Sequence, residues 1–320
     1  MDAFGLGPMP GYSMSEAADI VMGETGGLPH LPQLPDRGIH AGAIGRTAGL
    51  LEVVSIDRGP RSWVLSDRPQ LISHRIVDQM SRDLDEIQEV WGESVPRVKV
   101  QAVGPWSLAA AVELGNGHRA ITDSGAFRDL CGALLAGIQE HKAQVAQRFG
   151  ADVRVQLDEP LLADVLSGTL PGTTDFDTIR AVPADQVNAT LAEFGADYLR
   201  LREPLWEVAA KTVLLDFAGL ASPEHLDGLG QWIDGGARVG LGVAGQDART
   251  EAISIAQHFD RMGLSRERIP EQVDIFPWPV EKAAHSYSFA AEVAGILVRD
   301  AGDLYSTRPR LSVVVKYSPI

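Results

Sequence analysis

The sequence predicts one α/β domain built as a (β/α)₈, or TIM, barrel. Three observations carry that reading. Short apolar runs alternate with long helical patterns, seven or eight such units follow one another, and no Gly-rich phosphate turn opens the first helix. GLGPMPG at Gly5 to Gly11 is rich in glycine, but its spacing is not GxGxxG and prolines interrupt it.

Strands are expected at Ala3 to Gly7, Arg97 to Val103, Val153 to Leu157, Tyr198 to Arg202, Thr212 to Phe217, Arg238 to Val243 and Val273 to Phe276, with Ser62 to Leu65 as an eighth. Each is a short apolar or alternating run, too brief for a helix. Helices fit the longer amphipathic stretches at Ser15 to Glu24, Ser73 to Trp91, Leu108 to Glu113, Gly125 to Phe149, Ala184 to Phe194, Pro223 to Ile233, Ala248 to Met262 and Val280 to Val298. Phe127, Leu130, Cys131, Leu134 and Ile138 recur at helical spacing, so Cys131 reads as a small core residue rather than a nucleophile. The barrel is expected over 1–304. The Pro-rich stretch 26–42 reads as a packed functional surface loop, and 305–320 as an atypical extension, without an acidic residue from Ser306 onward.

Composition narrows the function. The 320 residues carry a net charge of −15, and a uniformly acidic surface repels phosphate backbones, so nucleic acid is not an expected partner. No apolar run approaches the about 18 residues of a membrane span. The opening MDAFGLGPMPGYS lacks the basic start and apolar stretch of a signal peptide, and a single cysteine allows no internal disulfide. Together these features point to a cytoplasmic protein with a small-molecule substrate.

Strand parity places the chemistry. Val98, Val100 and Ala102 oppose Arg97, Lys99 and Gln101; Val153, Val155 and Leu157 oppose Arg154, Gln156 and Asp158; Leu199 and Leu201 oppose Arg200 and Arg202; Val213 and Leu215 oppose Thr212, Leu214 and Asp216. The apolar face must meet the helix ring, so the polar face looks into the barrel. An unpaired ion there costs several kcal/mol. The deeper arginines Arg97, Arg154 and Arg238 are therefore expected in ion pairs. At the carboxyl ends of the strands, where this fold keeps its active site, stand Gln156, Asp158, Glu159, Arg200, Arg202, Glu203, Asp216, Trp278 and the Gly104–Pro105–Trp106 turn. Two guanidinium forks on one rim suit a carboxylate or phosphate. Trp106 and Trp278 would stack on a flat ring or plug the rim.

The stretches VQLDEPLLADVL (Val155 to Leu166), VQAVGPWSLAAAVEL (Val100 to Leu114), LPHLPQLPDRG (Leu28 to Gly38), AIGRTAGLL (Ala43 to Leu51) and WVLSDRP (Trp63 to Pro69) resemble the cobalamin-independent methionine synthase family. The likeness is to short actinobacterial relatives that are single barrels similar to the catalytic domain, in the superfamily of uroporphyrinogen decarboxylase. It implies methyl transfer from a methyl-folate to the thiol of homocysteine, made nucleophilic by zinc. It also implies where the zinc ligands belong. The His-x-Cys pair falls on Arg200 and Arg202, the carboxylate on Asp216 and the last cysteine near Pro279. None of the eight histidines forms a metal-type pair. No metal or other cofactor is therefore expected, and two guanidiniums stand where the cation belongs. The resemblance makes Asp158 a partner for a substrate ammonium; an ion pair with Arg200 or Arg202 is the alternative. The resemblance places His30 and Arg46 in family-like loop motifs where they could touch a ligand; for His30 a hydrogen-bonded loop histidine is the alternative. The expectation is a methionine synthase-like protein without its zinc site, binding an anionic or amino-acid substrate and possibly a folate. The alternatives are a metal-free enzyme acting on a carboxylate, with Asp158 and Asp216 as its catalytic groups, and a non-catalytic binding protein.

Overall fold

Alternation along the strands decides the architecture. The computed structural model describes residues 1–25, 27–60, 62–66, 68–173 and 177–304. Its strands are β1 (Ser55–Arg58), β2 (Trp63–Ser66), β3 (Arg97–Val103), β4 (Val112–Glu113), β5 (Asp152–Glu159), β6 (Tyr198–Leu201), β7 (Thr212–Asp216), β8 (Arg238–Val243) and β9 (Val273–Pro277). Six of them pair in parallel in the order β3-β5-β6-β7-β8-β9. This sheet curls into a half-barrel flanked by helices. The extension expected at 305–320 lies outside the described residues, as does Gly26 of the Pro-rich stretch.

The helices follow the amphipathic pattern: α1 (Met14–Glu24), α2 (Ala43–Ala48), α3 (Leu71–Trp91), α4 (Pro105–Ala111), α5 (Ser124–Phe149), α6 (Leu162–Ser167), α7 (Ala184–Phe194), α8 (Pro223–Asp234), α9 (Ala248–Arg261), α10 (Ile269–Gln272) and α11 (Ala283–Asp300). Asp123 starts α5 by accepting from the N–H groups of Gly125 and Ala126, and Gly150 ends it at φ 62°, in the left-handed region. Cys131 is buried on α5.

Two apolar cores separate as parity requires. Val98, Val100, Val153, Val155, Leu157, Leu199, Leu201, Val213, Leu215, Val239 and Leu241 belong to the large core between sheet and helices. Phe4, Leu6, Leu28, Tyr198, Leu214 and Phe276 form a second, smaller core, with Trp278 packed against it. These residues lie on the other face of the sheet, inside its curl. Leu214 and Tyr198 belong to the same strand faces as Asp216 and Arg200, two residues along in each strand.

Four expectations need correction: Ala3 to Gly7 forms no continuous strand, Val112 and Glu113 form β4 instead of ending a helix, and the other two concern Ser62 to Leu65 and the Pro-rich stretch. The stretch Ser62 to Leu65 does not join the main sheet. It contributes to β2, which pairs antiparallel with β1 and parallel with β4 in a separate three-stranded sheet. The Gly59–Pro60 turn, closed by Gly59 N–H donating to the Ser62 carbonyl at 2.8 Å, makes a local hairpin instead of a crossover. The Pro-rich stretch is at the surface only in its second part: Leu28, His30, Leu31 and Leu34 are buried, whereas Pro35, Asp36, Gly38 and Ile39 are exposed. Leu31 N–H donates to the Lys99 carbonyl at 2.9 Å, Lys99 N–H to the Pro29 carbonyl at 2.8 Å, and Gln33 N–H to the Gly7 carbonyl at 2.9 Å. The non-proline residues supply the donors, so the prolines do not prevent strand-like pairing. Ala3 bridges Ile275 in parallel, and Pro8 bridges Gln33. Gly7, at φ +123°, lets this segment pass Gln101, whose side chain a Cβ there would overlap at 2.6 Å.

Candidate functional site

The inner face of the sheet is layered by charge. At the amino ends of the strands the deep arginines are paired as expected: Arg97 with Asp2 at 2.7 Å, Arg238 with Asp274 at 2.7 Å, and Arg154 with Asp152 at 2.8 Å. Above them Phe4 packs on Tyr198, ring centroids 4.9 Å apart. The next layer is polar and sealed. Lys99 Nζ donates to Gln156 Oε1 at 2.5 Å and lies 5.4 Å from the centre of the Phe4 ring. Gln156 Nε2 donates to the Leu6 carbonyl at 2.9 Å and to Asp158 Oδ1 at 2.7 Å. One amide therefore bridges a buried ammonium and a buried carboxylate.

Burial dominates the titration of both groups. It pushes the Lys99 amine down to about 7, against the attraction of Asp158, and it raises the Asp158 carboxyl against the opposing pull of Arg200. The pair titrates as a unit.

Above this layer opens a cavity of about 270 Å³ at the carboxyl ends of the strands. Asp158 from β5, Arg200 and Arg202 from and just beyond β6, Asp216 from β7 and Trp278 beyond β9 all line it. Most of the remaining wall is apolar, from Pro8, Val103, Leu201, Leu214 and Phe276 among others. The Arg200 guanidinium lies 4.2 Å from the centre of the Trp278 ring. Among the described residues, no carboxylate comes within ion-pair distance of it and no hydrogen bond engages it. Burial lowers its pKa, against the attraction of Asp158. Arg202 is more exposed and already matched, 3.2 Å from Asp164 and 3.9 Å from Glu203. Asp216 is exposed, and its Oδ1 accepts from Ala218 N–H at 3.1 Å.

The other residues singled out in the sequence stand elsewhere. Gln156 lies beneath the cavity, holding Asp158. Glu159 points to the opposite side of β5, where its two oxygens accept from the N–H groups of Trp106 at 3.0 Å and Ser107 at 2.7 Å. It anchors the start of α4, and Gly104 leaves room for it, since a Cβ there would sit 2.3 Å from Oε1. Trp106 is buried against Phe127, centroids 4.4 Å apart. His30 is fully buried, with Nε2 3.1 Å from the Tyr287 hydroxyl. Burial first, then the Lys99 charge, holds its pKa well below the imidazole range. Arg46 is buried too, paired with Asp83 at 2.8 Å. Glu203 is exposed beside Arg202.

Lys99 and Phe276 were not singled out as site residues. Parity alone placed Lys99 on the inner face, between Arg97 and Gln101. Zinc does not fit the positions that the resemblance assigns to it. Guanidinium groups offer a metal no lone pair, and among the described residues no three His, Cys, Asp or Glu side chains gather as a ligand set. No helix among the described residues is long and apolar enough to cross a membrane. The chain matches no known protein-family model and no curated protein.

Proposed function

We propose that this chain binds a small carboxylate without a metal, in the cavity at the carboxyl ends of its strands. In this reading it is a relative of the cobalamin-independent methionine synthase family in which a guanidinium takes the cation's position. Arg200 carries the reading. Its guanidinium lies over the Trp278 ring, is largely withdrawn from water, and has no ion pair or hydrogen bond among the described residues. A largely desolvated cation that lines a cavity and lacks a partner is a receiver for a planar anion. Asp158, whose pKa is raised by burial, is the group placed to exchange a proton with that ligand.

The six-stranded sheet is read as the larger part of a closed (β/α)₈ barrel. The parallel bridges Ala3–Ile275, Pro8–Gln33 and His30–Lys99 support this, since they link β9 back to β3 through two further extended segments. One buried, unpaired thiol, Cys131, fits a reducing, cytoplasmic setting.

Calorimetric titration with small carboxylates tests the reading. Binding by the native protein, lost in Arg200→Gln at unchanged stability, supports it. Stoichiometric zinc in the purified protein, together with methyl transfer from a methyl-folate to homocysteine, would overturn it.

A further inference from the structure

We infer that Gln156 is a positioning residue: it holds Asp158 away from its cross-strand neighbour Arg200 and so keeps the anion receiver of this cavity open. The inference rests on the anion reading of Arg200 and adds the residue that maintains it. Asp158 and Arg200 are direct partners in the β5–β6 register, and both line the cavity. Neighbouring strands lie about 4.8 Å apart, so two side chains of opposite charge at such positions ordinarily meet. Here, among the described residues, they form neither an ion pair nor a hydrogen bond, although Asp158 attracts Arg200.

The tether is the Gln156 amide. Gln156 is wholly buried on the same face of β5, two residues before Asp158. Its Nε2 donates to the Leu6 carbonyl at 2.9 Å and to Asp158 Oδ1 at 2.7 Å, and its Oε1 accepts from Lys99 Nζ at 2.5 Å. Both amide hydrogens and the amide oxygen are therefore engaged. The Leu6 carbonyl can only accept, so the amide cannot turn over without setting its own oxygen against that carbonyl and Asp158 Oδ1. The hold does not depend on where the protons are. An amine donates to Oε1 with or without its charge, and a carboxyl oxygen accepts from Nε2 in either form. Asp158 Oδ2 has no partner. Among the described residues the sealed side-chain atoms without one are His30 Nδ1, Gln101 Oε1 and Trp106 Nε1, so Oδ2 is not sealed and reaches the cavity. The sheet order places Asp158 on one side of Arg200 and Trp278, beyond β9, on the other. The carboxyl is tied down toward Gln156 and the guanidinium lies over the Trp278 ring, which leaves room for a ligand anion between them.

Freed from the amide, Asp158 is expected to turn to Arg200 and fill it. Calorimetric titration with isocaproate tests this. Wild type binds, and Gln156→Met should bind at least about tenfold more weakly. The double variant Gln156→Met/Asp158→Asn, which leaves no carboxylate to fill Arg200, should recover the affinity, whereas a packing defect would not be repaired by the second substitution. Asp158→Glu leaves Gln156 and Lys99 in place; its longer side chain outreaches the tether and should also lose at least about tenfold. Should Gln156→Met not fold, Asp158→Glu decides. Unchanged affinity in Gln156→Met, a loss that persists in the double variant, or Asp158→Glu binding as tightly as wild type overturns the inference while leaving Arg200 as an anion receiver. Failure of wild type to bind isocaproate overturns the anion reading itself, and the inference with it.

Discussion

Glu159 offers a prediction whose size can be worked from its surroundings. Its carboxylate is buried against the first turn of α4, and burial raises its pKa from 4.5 to about 7, although the N–H groups of Trp106 and Ser107 pull the other way. Below about pH 4.5 the folded and unfolded chains both hold this proton. Between there and about pH 7 the unfolded chain releases it first, so stability declines as the pH rises, and above that range the loss is complete. The shift corresponds to about 3 kcal/mol. Other buried groups slope the opposite way. His141, depressed to about 4 by burial, loses stability as the pH falls, and so does Lys99 over a higher range. The wild-type curve alone therefore mixes several contributions, and the comparison with Glu159→Gln isolates one. Urea unfolding of both proteins from pH 4.5 to 8 should show the variant gaining on the wild type by about 3 kcal/mol across that window. Parallel curves, or a wild type that gains on the variant as the pH rises, would refute the assignment of Glu159 as a buried acid anchoring α4.

Arg202→Ala should change stability by less than about 1 kcal/mol in thermal unfolding, because its pair with Asp164 is solvent-exposed. Tyr287→Phe removes the hydroxyl that partners the fully buried His30 and should cost about 1–3 kcal/mol in urea unfolding. The Cys131 thiol, pushed up to about 12 chiefly by burial, should react with a thiol reagent at pH 8 only after denaturant is added; rapid labelling of the native protein would contradict its placement.

The inner and outer faces of the strands were legible in the sequence because β side chains alternate strictly. Val98, Val100 and Ala102 could face only the helices, which fixed Lys99 and Gln101 on the inside. The same parity put Asp158, Arg200 and Asp216 at one end of the curl. The alternation could not say which cation was already matched. Arg202 finds Asp164, a residue of α6 that no spacing rule relates to β6, while Arg200, without an ion pair among the described residues, rests on the Trp278 ring. Nor did parity distinguish the two neighbours Asp158 and Glu159 by role; they leave opposite sides of β5, one toward the cavity and one toward α4. The segment from Leu28 to Gln33 was misread for a different reason. Its prolines erase the usual β signature, yet Leu31 and Gln33 retain the donors that tie it to Lys99 and Gly7. Ser62 to Leu65 looked like a strand and is mostly one, but the Gly59–Pro60 turn gives it a nearer partner than the barrel.

The account depends on one guanidinium being an unfilled receiver. Calorimetric titration of isocaproate into wild type, Arg200→Gln and Arg202→Gln tests this directly. The account predicts binding by wild type and Arg202→Gln and none by Arg200→Gln, with all three proteins equally folded by circular dichroism. Equal affinity in wild type and Arg200→Gln, or a loss confined to Arg202→Gln, would contradict it.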